Sequence, residues 1–327
     1  MAEMTVIDAV REALREEMER DPSVFTMGED IGARGGVFLA TEGLLDQFGP
    51  ERVIDTPLAE AAIGGIALGA AVNGMRPVAE IEFGDFIWPA VNQIIGEAAR
   101  VRYGTQGRRT APLVLRVPYG GGVRGGLFHS QSIEVAFSHQ PGLKVVAPAT
   151  PYDAKGLLKS AIRDDDPVIF FEHKRTYRLV RGDVPEGDYT IPIGKADVKR
   201  IGTDLTVVSY GLVLHYCLEA AATLMEEGID VEVIDLRTLR PLDTDTVLES
   251  VRKTSKAMVV HEDTKAGGIG GEIAAVIAEE AFEDLDAPVK RVAGPEVPAM
   301  PFSPLLEAEF MPSAEKIAAE IRELAAY

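Results

Sequence analysis

The chain has 327 residues, 46% of them apolar, with a formal net charge of -19 and a single cysteine, Cys217. This length favours two folded domains over one core, and the apolar share excludes a disordered chain. The acidic balance argues against nucleic-acid binding, while one cysteine excludes an intrachain disulfide framework and suits a reducing cytoplasm.

From the N-terminus, Met4 to Arg20 has helical spacing, with Ile7, Val10 and Leu14 on one side. Val24 to Met27 is a short strand that runs into Gly28-Glu29-Asp30. Thr56 is placed to cap a helix with Pro57 at its first position, which puts Glu60 near the N-terminal end. Pro77 to Phe83 reads as a strand, Ala90 to Tyr103 as a helix and Pro112 to Val117 as a strand. A Gly-rich loop then leads to His129. Leu143 to Ala147, Tyr152 to Ile162 and Val168 to Phe171 continue as strand, helix and strand. Such alternation predicts an α/β fold with mainly parallel sheets covered by helices.

The expected division is a first domain over 1–185, a linker with one or two short edge elements over 186–202 and a second α/β domain over 203–327. The second series starts at Asp204 to Ser209, continues through Val231 to Asp235 and Ala257 to His261, and ends in a helix from Ala314 to Leu324. No charge-free stretch is long enough for a convincing membrane span, and no signal-peptide core opens the chain, so a soluble protein is expected.

Four places invite chemistry. Glu60 stands in Asp55-Thr-Pro-Leu-Ala-Glu-Ala-Ala-Ile-Gly-Gly-Ile-Ala-Leu-Gly-Ala-Ala71, whose later residues offer no charge. A glutamate in the first helical turn commonly just complements the helix dipole. The apolar company favours instead a carboxyl that needs a proton or a partner. Phe86, in Phe83-Gly-Asp-Phe86, is either core packing or a ring for a planar ligand. His129 follows a loop with five glycines, Gly120 to Gly126, which offers mobility and room for a ligand's close approach; it is a working imidazole or a satisfied structural one. Asp164-Asp-Asp166 is an acidic turn whose carbonyls could hold a monovalent cation. Glu29-Asp30 reads as capping or salt bridging, and Cys217 as a buried structural thiol.

Asp55 to Ala71, Phe83 to Phe86 and His129-Ser-Gln131, together with Leu143-Lys-Val-Val-Ala-Pro148, Val233-Ile-Asp-Leu-Arg-Thr-Leu239, His261-Glu262 and Gly267 to Gly271, resemble the β subunit of thiamine-diphosphate-dependent 2-oxoacid dehydrogenases, the E1 component. The resemblance spans nearly the whole chain. It implies a transketolase-like pyrimidine-binding domain followed by a transketolase C-terminal-like domain. It makes Glu60 the carboxylate facing N1′ of the aminopyrimidine, which helps the cofactor lose its thiazolium C2 proton. By the same likeness Phe86 packs near the aminopyrimidine, and His129 orients substrate and assists transfer to lipoamide. Asp164 and Asp165 lie where relatives place part of a monovalent-cation site, K⁺ being the expected ion.

The diphosphate and Mg²⁺ signature Gly-Asp-Gly is absent from this chain. The resemblance therefore implies an α subunit that holds those groups in an α₂β₂ assembly. It also implies a dihydrolipoyl acyltransferase (E2) core with its lipoyl domain as a further partner, reached through the second domain. Phe170 to Arg178 and the Gly120–Phe128 loop look more like the branched-chain (2-oxoisovalerate) type, although His173 stands where that type commonly has Pro. The pyruvate or acetoin type is the close alternative. A noncatalytic interaction subunit and a one-chain transketolase-like enzyme are the alternatives of other classes.

Overall fold

The computed structural model describes residues 1–327, which form two compact units. The first comprises Met1–Tyr119 and Ala136–Ile193; the second comprises Gly120–Val135 and Gly194–Tyr327. Within the first domain expected over 1–185, the segment Gly120–Val135 groups with the second unit, and the chain returns to the first at Ala136. A Gly-rich segment carries no hydrophobic pattern that says which core it will join.

The first unit holds strands β1 (Ala2–Thr5), β2 (Val24–Gly28), β3 (Val53–Asp55), β4 (Arg76–Glu80), β5 (Val114–Tyr119), β6 (Lys144–Val146), β7 (Val168–His173) and β8 (Arg181–Val184). Its main sheet runs β6-β7-β5-β4-β2-β3, and every neighbouring pair is parallel. Buried apolar residues, Val foremost, dominate these strands, as expected where both faces are covered.

The first helix starts at Val6, not Met4. Thr5 and Asp8 form a capping box that fixes the start, and residues 2–5 pair antiparallel with β8 instead. Its inward face (Val6, Val10, Leu14, Met18) shares a core with Leu157, Leu158 and Ile162 of the helix Pro151–Arg163. That second helix follows its cues: the Thr150 hydroxyl accepts from the Asp153 N–H at 3.2 Å, and Pro151 opens the first turn.

Two local expectations fail. Thr56 and Pro57 remain in the connection after β3, and the helix begins three residues further on, Glu60–Val72, with Ala59 at its cap. The stretch predicted as one helix over 90–103 is a relay of 3₁₀ turns, a π-helical turn over Asn92–Glu97 and a short α-turn at Val101–Gly104. Apolar spacing reports that a segment is helical, but not which hydrogen-bond register it keeps. This relay packs against the Glu60 helix, where a methyl at Gly64 would lie 3.2 Å from Ala90 Cβ and 3.6 Å from Gln93 Cβ.

The second unit has strands β9 (Asp197–Arg200), β10 (Leu205–Ser209), β11 (Val231–Asp235), β12 (Thr238–Arg240), β13 (Ala257–Thr264) and β14 (Lys290–Gly294). Five form a sheet in the order β14-β13-β10-β11-β9, parallel except at its edge strand β9. The linker stretch, 186–202, supplies that edge strand, a short edge element of the kind expected there. No helix is long and apolar enough to cross a membrane.

Candidate active site

In an open parallel sheet, ligands gather beyond the carboxyl ends of the strands. Three adjacent strands of the first unit end in acids or lead directly to them. Glu29 follows β2, Asp55 ends β3 and precedes Glu60, and Glu82 follows β4. Local ties hold these ends together: Thr56 N–H donates to the Gly28 carbonyl at 2.9 Å, and Gly32 N–H to Asp55 Oδ1 at 2.6 Å.

Glu29 is the electrostatic centre of the group, with only 8% of its surface exposed. Burial pushes its carboxyl up to about 7, and the nearby charges of Glu60, Glu82 and Asp30 add to the rise, against one N–H bond from Ala59. This residue can therefore hold or release a proton near neutrality, beside the half-buried Glu60 at the first position of its helix. Sequence reading missed it. Two adjacent acids look like solvated surface residues until the sheet order brings Glu60 and Glu82 to them.

The Glu29 proton has a measurable consequence. Its folded pKa lies above the ordinary 4.5, so the folded chain binds more protons than the unfolded one between the two values. Stability from this group is present at low pH and lost as pH rises through about 7. Glu29→Gln should flatten that decline, read as the difference in urea midpoints between wild type and variant from pH 5 to 8.

Phe86 ends the 3₁₀ turn Gly84–Phe86, just past β4. Its ring meets Phe83 edge-on with centroids 5.8 Å apart, and Phe83 meets Phe38 at 5.5 Å. The ring is half-buried, so it belongs to an aromatic wall that still has an open side. Around the same helix, Glu29 Oε1, Thr56 Oγ1 and Gln93 Oε1 are buried without a hydrogen-bond partner in the chain. Gln93 packs on the helix, with its Cβ 3.6 Å from the position of a methyl at Gly64. Buried acceptors left unpaired are costly, and their gathering here favours a ligand that donates hydrogen bonds.

The Asp164–Asp166 turn is ion-paired. Asp164 takes Lys144 Nζ at 2.7 and 2.6 Å, Asp165 takes Arg76 at 2.8 Å and Asp166 takes Arg102 at 2.5 Å. Arg76 also donates to the Ile162 and Asp164 carbonyls. Three carboxylates thus face three side-chain cations. The side chains of Asp164 and Asp165, the turn where a monovalent cation is expected, are thus engaged by Lys144 and Arg76. His173 is buried at the end of β7, accepts from the Arg175 N–H at 3.3 Å and meets Tyr119 edge-on at 5.1 Å.

His129 belongs to the second unit, at the end of a 3₁₀ turn over Gly126–Phe128, and is half-buried. Its loop is closed by Gly120 N–H donating to the Gln131 carbonyl at 3.0 Å. Further along, Tyr210 OH donates to Glu134 at 2.5 Å. Burial, then the nearby Asp263, pushes the Glu134 carboxyl up to about 8. Cys217 is a buried free thiol pushed up to about 12 by burial, as a structural role requires.

Comparison with known proteins matches this architecture. The transketolase pyrimidine-binding domain covers residues 2–180, and the transketolase C-terminal domain covers 194–317. The chain is 58% identical to the 2-oxoisovalerate dehydrogenase subunit beta of Bacillus subtilis, over 100% of both chains. It is 53% identical to the pyruvate dehydrogenase E1 component subunit beta of the same organism, over 93% of each. Among solved structures, a split-gene transketolase described as an inactive beta4 tetramer superposes with a TM-score of 0.81 at 24% identity, covering 99% of this chain and 98% of that one, a likeness of fold alone.

Proposed function

Since the chain belongs to the transketolase-related family that includes the β subunits of 2-oxoisovalerate and pyruvate dehydrogenases, we propose that it is the β subunit of a branched-chain 2-oxoacid dehydrogenase E1. The reaction is decarboxylation of a 2-oxo acid of the 2-oxoisovalerate type, with reductive acylation of the lipoyl group on an acyltransferase partner. The observation that carries this reading is Glu60, which opens an apolar helix beside the proton-holding carboxyl of Glu29.

The cofactor is thiamine diphosphate, which when bound supplies the electron sink for the carbon that loses CO₂. The residues present suit its aminopyrimidine. Glu60 would hold a proton against a ring nitrogen, and the unpaired oxygens of Glu29, Thr56 and Gln93 are acceptors suited to ring N–H and amino groups. Phe86 and Phe83 offer the flat apolar side. Glu29, raised by its surroundings, can return or take a proton near neutrality next to Glu60. On the second unit, His129 orients the 2-oxo acid and assists acyl transfer to the lipoyl arm.

The family's Gly-Asp-Gly signature for the diphosphate and Mg²⁺ is absent from this sequence, and the proposal assigns both groups to an α subunit, in an α₂β₂ assembly. The Glu60 helix supports such a partner: Ile66 is 56% exposed, Leu58 just before the helix is 79% exposed, and a methyl at Gly69 would meet nothing. The net charge of -19 suits a basic subunit-binding domain on the acyltransferase core, with the second unit as its dock. A cytoplasmic location is part of the same proposal.

The test is a substrate panel on the chain reconstituted with its α subunit, thiamine diphosphate and Mg²⁺. Branched-chain 2-oxo acids should give the highest kcat/KM. A preference for pyruvate would move the chain to the pyruvate type, and no turnover with any 2-oxo acid would sink the proposal.

A further inference from the structure

The glycines before His129 suggest a loop left open for a ligand, but the N–H groups of Gly120, Gly121, Gly122 and Arg124 are already taken. Alternate residues adopt left-handed backbone, with φ of 85° at Gly120, 76° at Gly122, 58° at Arg124 and 66° at Gly126. Such alternation turns successive N–H groups to one side and makes a concavity that binds anions. The anion here comes from the chain itself. Glu307 Oε1 accepts from Gly122 N–H and Arg124 N–H, each at 3.0 Å. Glu262 Oε1 accepts from Gly121 N–H at 2.6 Å and from the Ser132 hydroxyl at 2.9 Å.

The packing agrees with this clamp. Glu307 is 6% exposed and sits on the short helix Pro304–Phe310. Met300 and Met311 flank that helix and fill the space a side chain at Gly121 would need, and Phe302 does the same at Gly126. Left-handed backbone at Arg124 is strained for a residue with a Cβ, so something must hold it there. The Glu307 carboxylate does so, with bonds strengthened by its charge.

We infer that Glu307 is a positioning residue for His129: its carboxylate orders the Gly-rich loop from within and so sets where the imidazole stands. The consequence for catalysis rests on the role proposed above for His129; the clamp itself does not.

Two readouts separate them. In hydrogen–deuterium exchange on the full chain, Glu307→Ala should speed exchange at the Gly122 and Arg124 amides by about tenfold or more. Glu307→Gln, which keeps an acceptor oxygen, should restore most of the protection. In the reconstituted assembly, Glu307→Ala should slow acylation of a lipoyl domain more than dye-coupled decarboxylation, and Glu307→Gln should recover it. Unchanged amide exchange in Glu307→Ala overturns the clamp. Faster exchange with normal acylation, in an assembly where His129→Ala does impair acylation, overturns the positioning role. If His129→Ala leaves acylation at the wild-type rate, the reading of His129 falls instead, and the exchange result still decides the clamp.

Discussion

Glu60→Gln should lower decarboxylation by the reconstituted assembly about 10²–10⁴-fold, the range set by loss of a positioned proton-transfer group. The fold should survive. The substitution keeps the side chain's size, and Glu60 occupies the first helical position, where its charge aids the helix dipole by only about 0.3–1 kcal/mol. The carboxylate is not part of the core: it is half-buried, on a helix whose inward contacts are made by Ile63, Gly64, Ala67 and Ala71. A rate effect of several kcal/mol against a stability effect below one is the signature of a group selected for chemistry. Urea denaturation alongside the turnover assay checks both halves, and parallel losses in stability and rate would reduce Glu60 to a structural residue.

Arg116→Ala should act in the opposite way, unfolding the first unit at a much lower urea concentration. Arg116 is fully buried on β5. Its guanidinium donates to Glu172 on β7 at 2.7 and 2.6 Å and to Glu80 on β4. Tyr177 OH adds a bond to Glu172 at 2.5 Å. Register explains the meeting: Glu80 lies opposite Arg116, and Arg116 lies opposite Phe170, two residues before Glu172 on the same face.

Removing one partner of such a buried network costs about 3–5 kcal/mol, because the remaining charges have neither water nor a counter-ion. Burial already pushes the Glu80 carboxyl above its ordinary range, against the pull of Arg116. Without the arginine, the Glu80 carboxyl should be raised further. A carboxyl whose folded pKa is raised contributes its stability at low pH and loses it as pH rises. The Arg116→Ala defect should therefore shrink as pH falls, since Glu80 can then be buried neutral. A defect that is small, or independent of pH, would contradict this account of the network.

How much of this was legible in the sequence follows from which physical signals are local. The strands of both units and the apolar setting of Glu60 were legible, because period and composition act over a few residues. The three-residue delay in the helix start was not. Thr56 and Pro57 carry good cap chemistry, but Thr56 N–H is committed to the Gly28 carbonyl across the sheet. Glu29 was invisible for the same reason at longer range: its raised carboxyl depends on β2, β3 and β4 standing side by side. The Asp164–Asp166 turn was legible as acidic but not as ion-paired, since Arg76, Lys144 and Arg102 arrive from three other segments. The glycine loop was legible as unusual backbone but not as occupied, since its anion sits 185 residues away from Gly122 at Glu307.

The central claim is that Glu60 begins the chemistry of a cofactor whose diphosphate is held by another subunit. It is tested most directly by NMR, following exchange of the thiazolium C2 proton of thiamine diphosphate for solvent deuterium. The assembly of wild-type chain, α subunit and Mg²⁺ should speed this exchange strongly. The assembly with Glu60→Gln should fall close to the rate of free cofactor, and the isolated wild-type chain should do no better. Fast exchange in the Glu60→Gln assembly, or in the isolated chain, would contradict it.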